Sequence, residues 1–188
     1  MPLKITFVKS GTNTENALTG DVTLLDGSST IKRSSAFSGG NGFNPIDDGT
    51  YRLHLDIRGD ETSDKANTDG TLQPFYGIQR VGSDVVDADG KHWNMQIEWG
   101  TIRARLNPPG APDHGDYLHG KQRARDWTHG CVCDRSEVLT KYLWNLASPP
   151  TAIDVEVSGG LNFNLEDLVR KNAAPRKKAN RKRSKERR

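Results

Sequence analysis

The chain has 188 residues, enough for one domain or one domain with a tail. Only 33% are hydrophobic, but the deficit is local: residues 176–188 hold nine Lys/Arg and one Glu, a net of +8 in a chain whose formal total is +3, which leaves the remainder at about −5. Two cysteines exclude a disulfide framework, and no apolar run is long enough for a signal-peptide core or a transmembrane helix, so the expectation is a soluble chain made in the cytoplasm.

Period-two alternation marks half-buried strands along most of the chain. KITFV near the start and DVTLL at 21–25 are short candidates. YRLHLDIR places Tyr51, Leu53, Leu55 and Ile57 on one face and Arg52, His54, Asp56 and Arg58 on the other. WNMQIEW repeats the pattern with Trp93, Met95, Ile97 and Trp99. TIRARL then shifts parity to Ile102, Ala104 and Leu106, with Gly100 at the shift, which predicts a tight turn or bulge there. TAIDVEV at 151–157 is the last strand. Polar loops at 59–70 and 107–116 separate these runs.

One helix is clear. In DRSEVLTKYLWNLASPP the residues Val138, Leu139, Tyr142, Leu143 and Leu146 form a stripe at helical spacing, Asp134 with Glu137 resembles a capping box, and Pro149 and Pro150 close it. A second short helix is expected over 164–171. Residues 174–188 have no apolar face and are expected to be disordered. The fold class is therefore mostly β, a sandwich or barrel with one or two helices late in the chain, as a domain over 1–173 followed by a basic tail.

The densest chemistry lies in YLHGKQRARDWTHGCVC, residues 117–133, which holds two of five histidines and both cysteines. Cys-Val-Cys is too short a ring for an unstrained disulfide, so two thiols are expected. Cys131 precedes the expected N-cap, Asp134, by three residues. Unpaired N–H groups at a helix start would lower its pKa, and the glycine-containing backbone around it could form an oxyanion hole. His119, at a strand end before Gly120, is the candidate base, with His129 in a supporting role. Other readings of the same residues are a zinc site made of His119, His129, Cys131 and Cys133, a redox thiol pair, or ordinary buried side chains.

YLHG followed by THGC resembles the signature of the L,D-transpeptidase catalytic-domain family, the YkuD-like fold: His-Gly, a spacer, then Ser/Thr-His-Gly-Cys, a hydrophobic residue and usually Arg or Asn. NPIDDGTYRLHL at 44–55 is similar to an upstream strand of that family, and EVLTKYLWNLASPPTAIDVEV to its helix and closing strand. The resemblance spans roughly residues 3–157 and is nearer to the small type VI secretion effector and phage-type members. It implies that Cys131 forms a thioester with an acyl donor, that His119 takes the thiol proton while the Gly120 carbonyl holds the imidazole, that His129 shapes the pocket, and that Gly130 and Cys131 N–H groups line the oxyanion site. Thr128 takes the Ser/Thr position.

The implied substrate is the stem peptide of peptidoglycan. Water as acceptor gives L,D-carboxypeptidase activity, and an amine gives cross-linking or exchange, without a cofactor or a metal. Trp127 is the tryptophan placed to touch substrate. Arg103 and Arg105 either bind stem-peptide carboxylates or form a solvated face. Two departures stand out: the His119–His129 spacing of ten residues is short, and Cys133 replaces the usual Arg or Asn, with Arg135 as a possible substitute. Action on cell-wall peptidoglycan would require delivery by another route. The tail at 174–188 offers polyanions a basic partner, and an inactive domain that binds polyanions through it is a further alternative, beside a zinc-stapled binding module.

Overall fold

The computed structural model describes residues 2–110, 113–122 and 125–159. The expected second helix at 164–171, the boundary at 173 and the basic tail lie outside the described residues.

Three long strands open the chain: β1 (Leu3–Thr12), β2 (Leu18–Asp26) and β3 (Ser29–Ser38). They pair antiparallel in sequence, with Gly27 at φ 59° in the second turn, where a residue without Cβ meets no steric penalty. In β1 the alternation buries Ile5 and Phe7 and continues to Lys9, whose ammonium is also buried; it donates to Ile46 O at 2.9 Å and pairs with Asp48 at 2.6 Å.

β4 (Gly49–His54) and β5 (Arg58–Gly59) follow, then a 3-10 turn at Glu61–Ser63, β6 (Ile78–Arg80), β7 (Val85–Val86), β8 (His92–Trp93), α1 (Gln96–Trp99), β9 (Ile102–Arg105), β10 (Tyr117–His119), β11 (Val132–Cys133), α2 (Val138–Trp144) and β12 (Ala152–Ser158). Ten strands form one sheet in the order β4-β12-β1-β2-β3-β11-β10-β9-β6-β5, and β7 and β8 form a separate hairpin. The sheet curls back on itself, because Arg52 and Asn107 exchange backbone hydrogen bonds of 2.7 and 2.9 Å between β4 and the chain just beyond β9. The main core fills this curl: Ile5, Phe7, Leu24, Leu53, Ile78, Leu106 and Leu118 from the strands, closed by Leu139 and Leu143 of α2. Burial of this apolar surface is the main term holding the strands together. A smaller cluster of Ala66, Leu72, Val81, Val85 and Met95, flanked by Trp93 and Trp99, packs the segments on either side of β6 into a cap beside the sheet. Among the described residues, no helix is long and apolar enough to cross a membrane.

Among the described residues the protein is thus mostly β with two short helices, and four expectations need correction. The strand at 51–58 stops at His54: the N–H groups of Leu55 and Asp56 both turn to Thr151 O, and Ile57 is 42% exposed. The alternation of WNMQIEW is not a strand. Asn94 Oδ1 accepts from Gln96 N at 3.1 Å and Met95 O from Trp99 N at 3.1 Å, which sets off a single helical turn ended by Gly100 at φ 64°. Arg103 and Arg105 do not form a solvated face; they are 1% and 5% exposed, Arg103 held among Gln73, Gln79, Trp99 and Tyr117 and Arg105 by Asp113 and Tyr117. Finally, α2 begins at Val138, and its N-cap is Glu137 in the left-handed region at φ 56°, without the reciprocal bond of a capping box. Asp134 does serve the helix start, as its Oδ2 accepts from Leu139 N at 3.0 Å.

Candidate active site

β10 and β11 run parallel, with Leu118 opposite Val132 and His119 opposite Cys133. Parallel strands need a crossover connection, supplied here by residues 120–131. In this register Cys131 lies two residues before the partner of His119 and on the same face, and both line one cavity of about 350 Å³. Trp127, Thr128 and His129 line it from the crossover, and Gly70, Thr71, Glu98 and Trp99 from the cap. The His119 ring packs on Trp99 with centroids 5.0 Å apart.

The orientation of His119 follows from its neighbours. Its Nδ1 lies 2.5 Å from Gly120 O, and a carbonyl can only accept, so Nδ1 carries the proton and Nε2 is left basic. The Gly120 carbonyl is itself held in place by packing. A Cβ at Gly120 would sit 2.3 Å from Glu137 Cγ, and one at Gly100 would sit 2.6 Å from Gly120 Cα. Glu137 is buried beneath both glycines and accepts from Thr101 N, from Thr101 Oγ1 at 2.9 Å and from Ile102 N at 3.2 Å. The side chain that looked like half of a capping box is the support under the His-Gly motif.

The THGC turn is pinned in the same way. The Thr128 hydroxyl donates to Cys131 O at 2.7 Å and accepts from Gly39 N at 3.0 Å and Gly130 N at 3.3 Å. Ser38 Oγ donates to Gly130 O at 2.5 Å and accepts from Ile46 N at 2.8 Å. Thr128 borders the cavity, but its hydroxyl serves the turn. The Gly130 N–H expected in an oxyanion site points at that hydroxyl across a long contact, and Gly130 takes φ 132°. His129 is exposed and meets Phe43 edge-on at 4.1 Å, while Trp127 stacks on Phe43 at 5.5 Å, so an aromatic rim borders the cavity.

The expected activation of Cys131 by a helix start is overturned. Cys131 enters β11 rather than a helix, and burial, with the charge of Asp116 added, pushes its thiol up to about 12. Burial likewise lowers His119 to about 4, despite the Gly120 carbonyl, which opposes the shift. Burial therefore favours the neutral form of both groups, a thiol at Cys131 and an uncharged imidazole at His119.

The remaining expected residues stand behind or away from the cavity. Arg103 donates from Nε to Gln79 Oε1 at 2.8 Å and from Nη2 to Gln73 O at 2.6 Å, and its guanidinium lies over Trp99 and Tyr117. Arg105 Nη2 reaches both oxygens of Asp113 at 2.7 Å. Both arginines therefore brace the wall. Arg135 binds Arg125 O at 3.0 Å and the Asp126 carboxylate, and it is not among the residues that line the cavity. Cys133 is fully buried against Ala17 and Phe37. Both cysteines are free thiols. Among the described residues, no three or more His, Cys, Asp or Glu side chains are grouped as metal ligands would be. Of the other histidines, His114 borders the cavity, His92 pairs with Asp84 at the surface and His54 lies 3.6 Å from Asp56.

Three lining residues carried no sequence signal. Lys121 is buried, donates to Trp127 O at 2.8 Å and pairs with Glu98 at 3.1 Å, so it ties cap to crossover. Trp99 forms one wall. Asp116, just before β10, faces this cavity and a second one of about 240 Å³.

No protein-family model matches the chain, and no match is found among curated proteins. The family resemblance therefore rests on the motif residues themselves.

Proposed function

We propose that the protein is a cysteine acyltransferase or peptidase of the L,D-transpeptidase type, acting on peptidoglycan stem peptides through a thioester on Cys131. The observation that carries this reading is the convergence of Cys131 and His119 on one cavity, with His119 Nδ1 committed to the Gly120 carbonyl and Nε2 free. The curled mostly-β sheet with its late helix supports it as an L,D-transpeptidase-like fold.

In this mechanism the substrate carbonyl sits over Cys131 within the aromatic rim. As sulfur bonds to the carbonyl carbon, the thiol proton passes to His119 Nε2, so thiolate forms only during attack. The tetrahedral centre collapses with loss of the amine, which takes the proton back from His119. Water or a second amine then attacks the thioester, with His119 again as base. Action on the cell wall requires the protein to reach it, and the same site would serve any delivery route.

The test is turnover of tetrapeptide-stem muropeptides, with products resolved by chromatography and mass. Wild type is expected to shorten or exchange the stem terminus. Cys131→Ala should abolish this, and His119→Gln should lower the rate by about 10²–10⁴-fold. Turnover unaffected by Cys131→Ala would sink the reading.

A further inference from the structure

We propose that Asp116 is an ammonium-binding residue in the wall between the two cavities, and that the smaller cavity admits the amine that accepts the acyl group. This rests on the thioester reading and names the acceptor it favours.

Asp116 is 7% exposed and borders both cavities. Its side-chain oxygens have no protein hydrogen-bond partner among the described residues and open to the cavities, since they are not among the buried polar atoms left without a partner. Burial raises the pKa of this carboxyl, so a cation in the cavity is what would favour its charged form. The cationic groups facing Asp116 are His114 and Arg105; Arg105 pairs with Asp113, and Lys9, further along the wall, pairs with Asp48. Asp47, which lines the smaller cavity, and Asp113 add negative charge, and Tyr51 and Cys131 also face the Asp116 carboxylate.

The motif glycine explains the placement. A Cβ at residue 130 would sit 2.7 Å from Asp116 Oδ1, so Gly130 lets this carboxylate lie against the backbone one residue from the nucleophile. A cation held there is next to the Cys131 thioester. Among the described residues no three or more His, Cys, Asp or Glu side chains are grouped to hold a metal ion, so Asp116 suits an ammonium better than a metal, which needs several ligands.

The transfer step balances without any co-reactant. The ammonium gives one proton to the Asp116 carboxylate. The free amine nitrogen bonds to the thioester carbonyl carbon, and the carbon–sulfur bond breaks. The nitrogen sheds a second proton, which His119 relays to the departing sulfur. The products are an amide, the Cys131 thiol and a protonated Asp116, which returns its proton to solvent.

The experiment loads the full-length protein with a tetrapeptide stem, adds glycinamide as the amine probe at pH 7, and measures the ratio of amide to hydrolysed product. Asp116→Asn is expected to lower that ratio at least tenfold. An unchanged ratio would overturn the proposal, as would equal losses of both products. If wild type forms no acyl-enzyme, the functional reading fails, and the subsite is decided by titrating glycinamide into Cys131→Ala and into Cys131→Ala/Asp116→Asn. Binding present in the first and lost in the second supports it; equal binding, or none in either, overturns it. Should Asp116→Asn not fold, amide shifts of Gly130 and Asp116 in wild type titrated with glycinamide at constant ionic strength decide. Shifts centred on these two support the site, and shifts elsewhere or none refute it.

Discussion

Cys131 and His119 are both held in their neutral forms by burial, and this has consequences measurable without substrate. The thiolate is the species that alkylates, so a thiol pushed up to about 12 should react with iodoacetamide at pH 7 far more slowly than free cysteine. Fast alkylation of Cys131 would mean a preformed thiolate. The same shifts make stability depend on pH. An imidazole lowered from 6.5 to about 4 is protonated first in the unfolded chain, so its contribution is complete above pH 6.5 and is lost as pH falls towards 4. A thiol raised from 9.0 to about 12 ionises first in the unfolded chain, so its contribution is complete below pH 9 and is lost as pH rises towards 12. Urea unfolding of wild type and His119→Gln at pH 7 and pH 4.5 checks the acid limb. Wild type should lose more stability than the variant over that interval, and equal losses would contradict the burial account.

At the scale of elements, the connection between the loop before β9 and the start of α2 runs through Glu137. Its carboxylate satisfies two backbone N–H groups and a hydroxyl of the 101–102 segment. It does so from a left-handed backbone position, φ 56°, that a glycine would hold with less strain. Glu137→Gly therefore separates the two effects. Despite the easier backbone it should destabilise the fold by about 3 kcal/mol, because it strands buried donors that were bonded to a charged group. Thermal or urea unfolding reads this, and stabilisation would show that backbone strain outweighs the side chain. The sequence carried Glu137 as a capping-box residue because its spacing from Asp134 fits, but its true partners lie some 36 residues away, beyond the reach of any local pattern.

For the whole molecule, legibility followed how much of each element was decided locally. β1, β2, β4 and β12 alternate in sequence because one face of each meets the main core. β3 was unread because most of STIKRSSAFS lies on an exposed hairpin and buries only its last three residues, Ala36, Phe37 and Ser38. Arg103 and Arg105 alternate like surface residues, yet they lie inside because Gln79, Trp99, Tyr117 and Asp113 converge from other elements to receive them. The candidate site divides similarly. His119, Gly120, Thr128, Gly130 and Cys131 were visible as a motif, whereas Asp116, Lys121 and Trp99 reach the cavity only through the parallel β10–β11 pairing and the cap packed from the segments on either side of β6.

The central claim is a covalent acyl group on Cys131. Intact-protein mass after brief incubation with a tetrapeptide-stem muropeptide tests it most directly, with Cys131→Ala in parallel. The expected result is an added mass equal to the acyl portion of the stem, localised to Cys131 and absent from the variant. No adduct and no stem cleavage in folded wild type, or an adduct that persists in Cys131→Ala, would contradict the account.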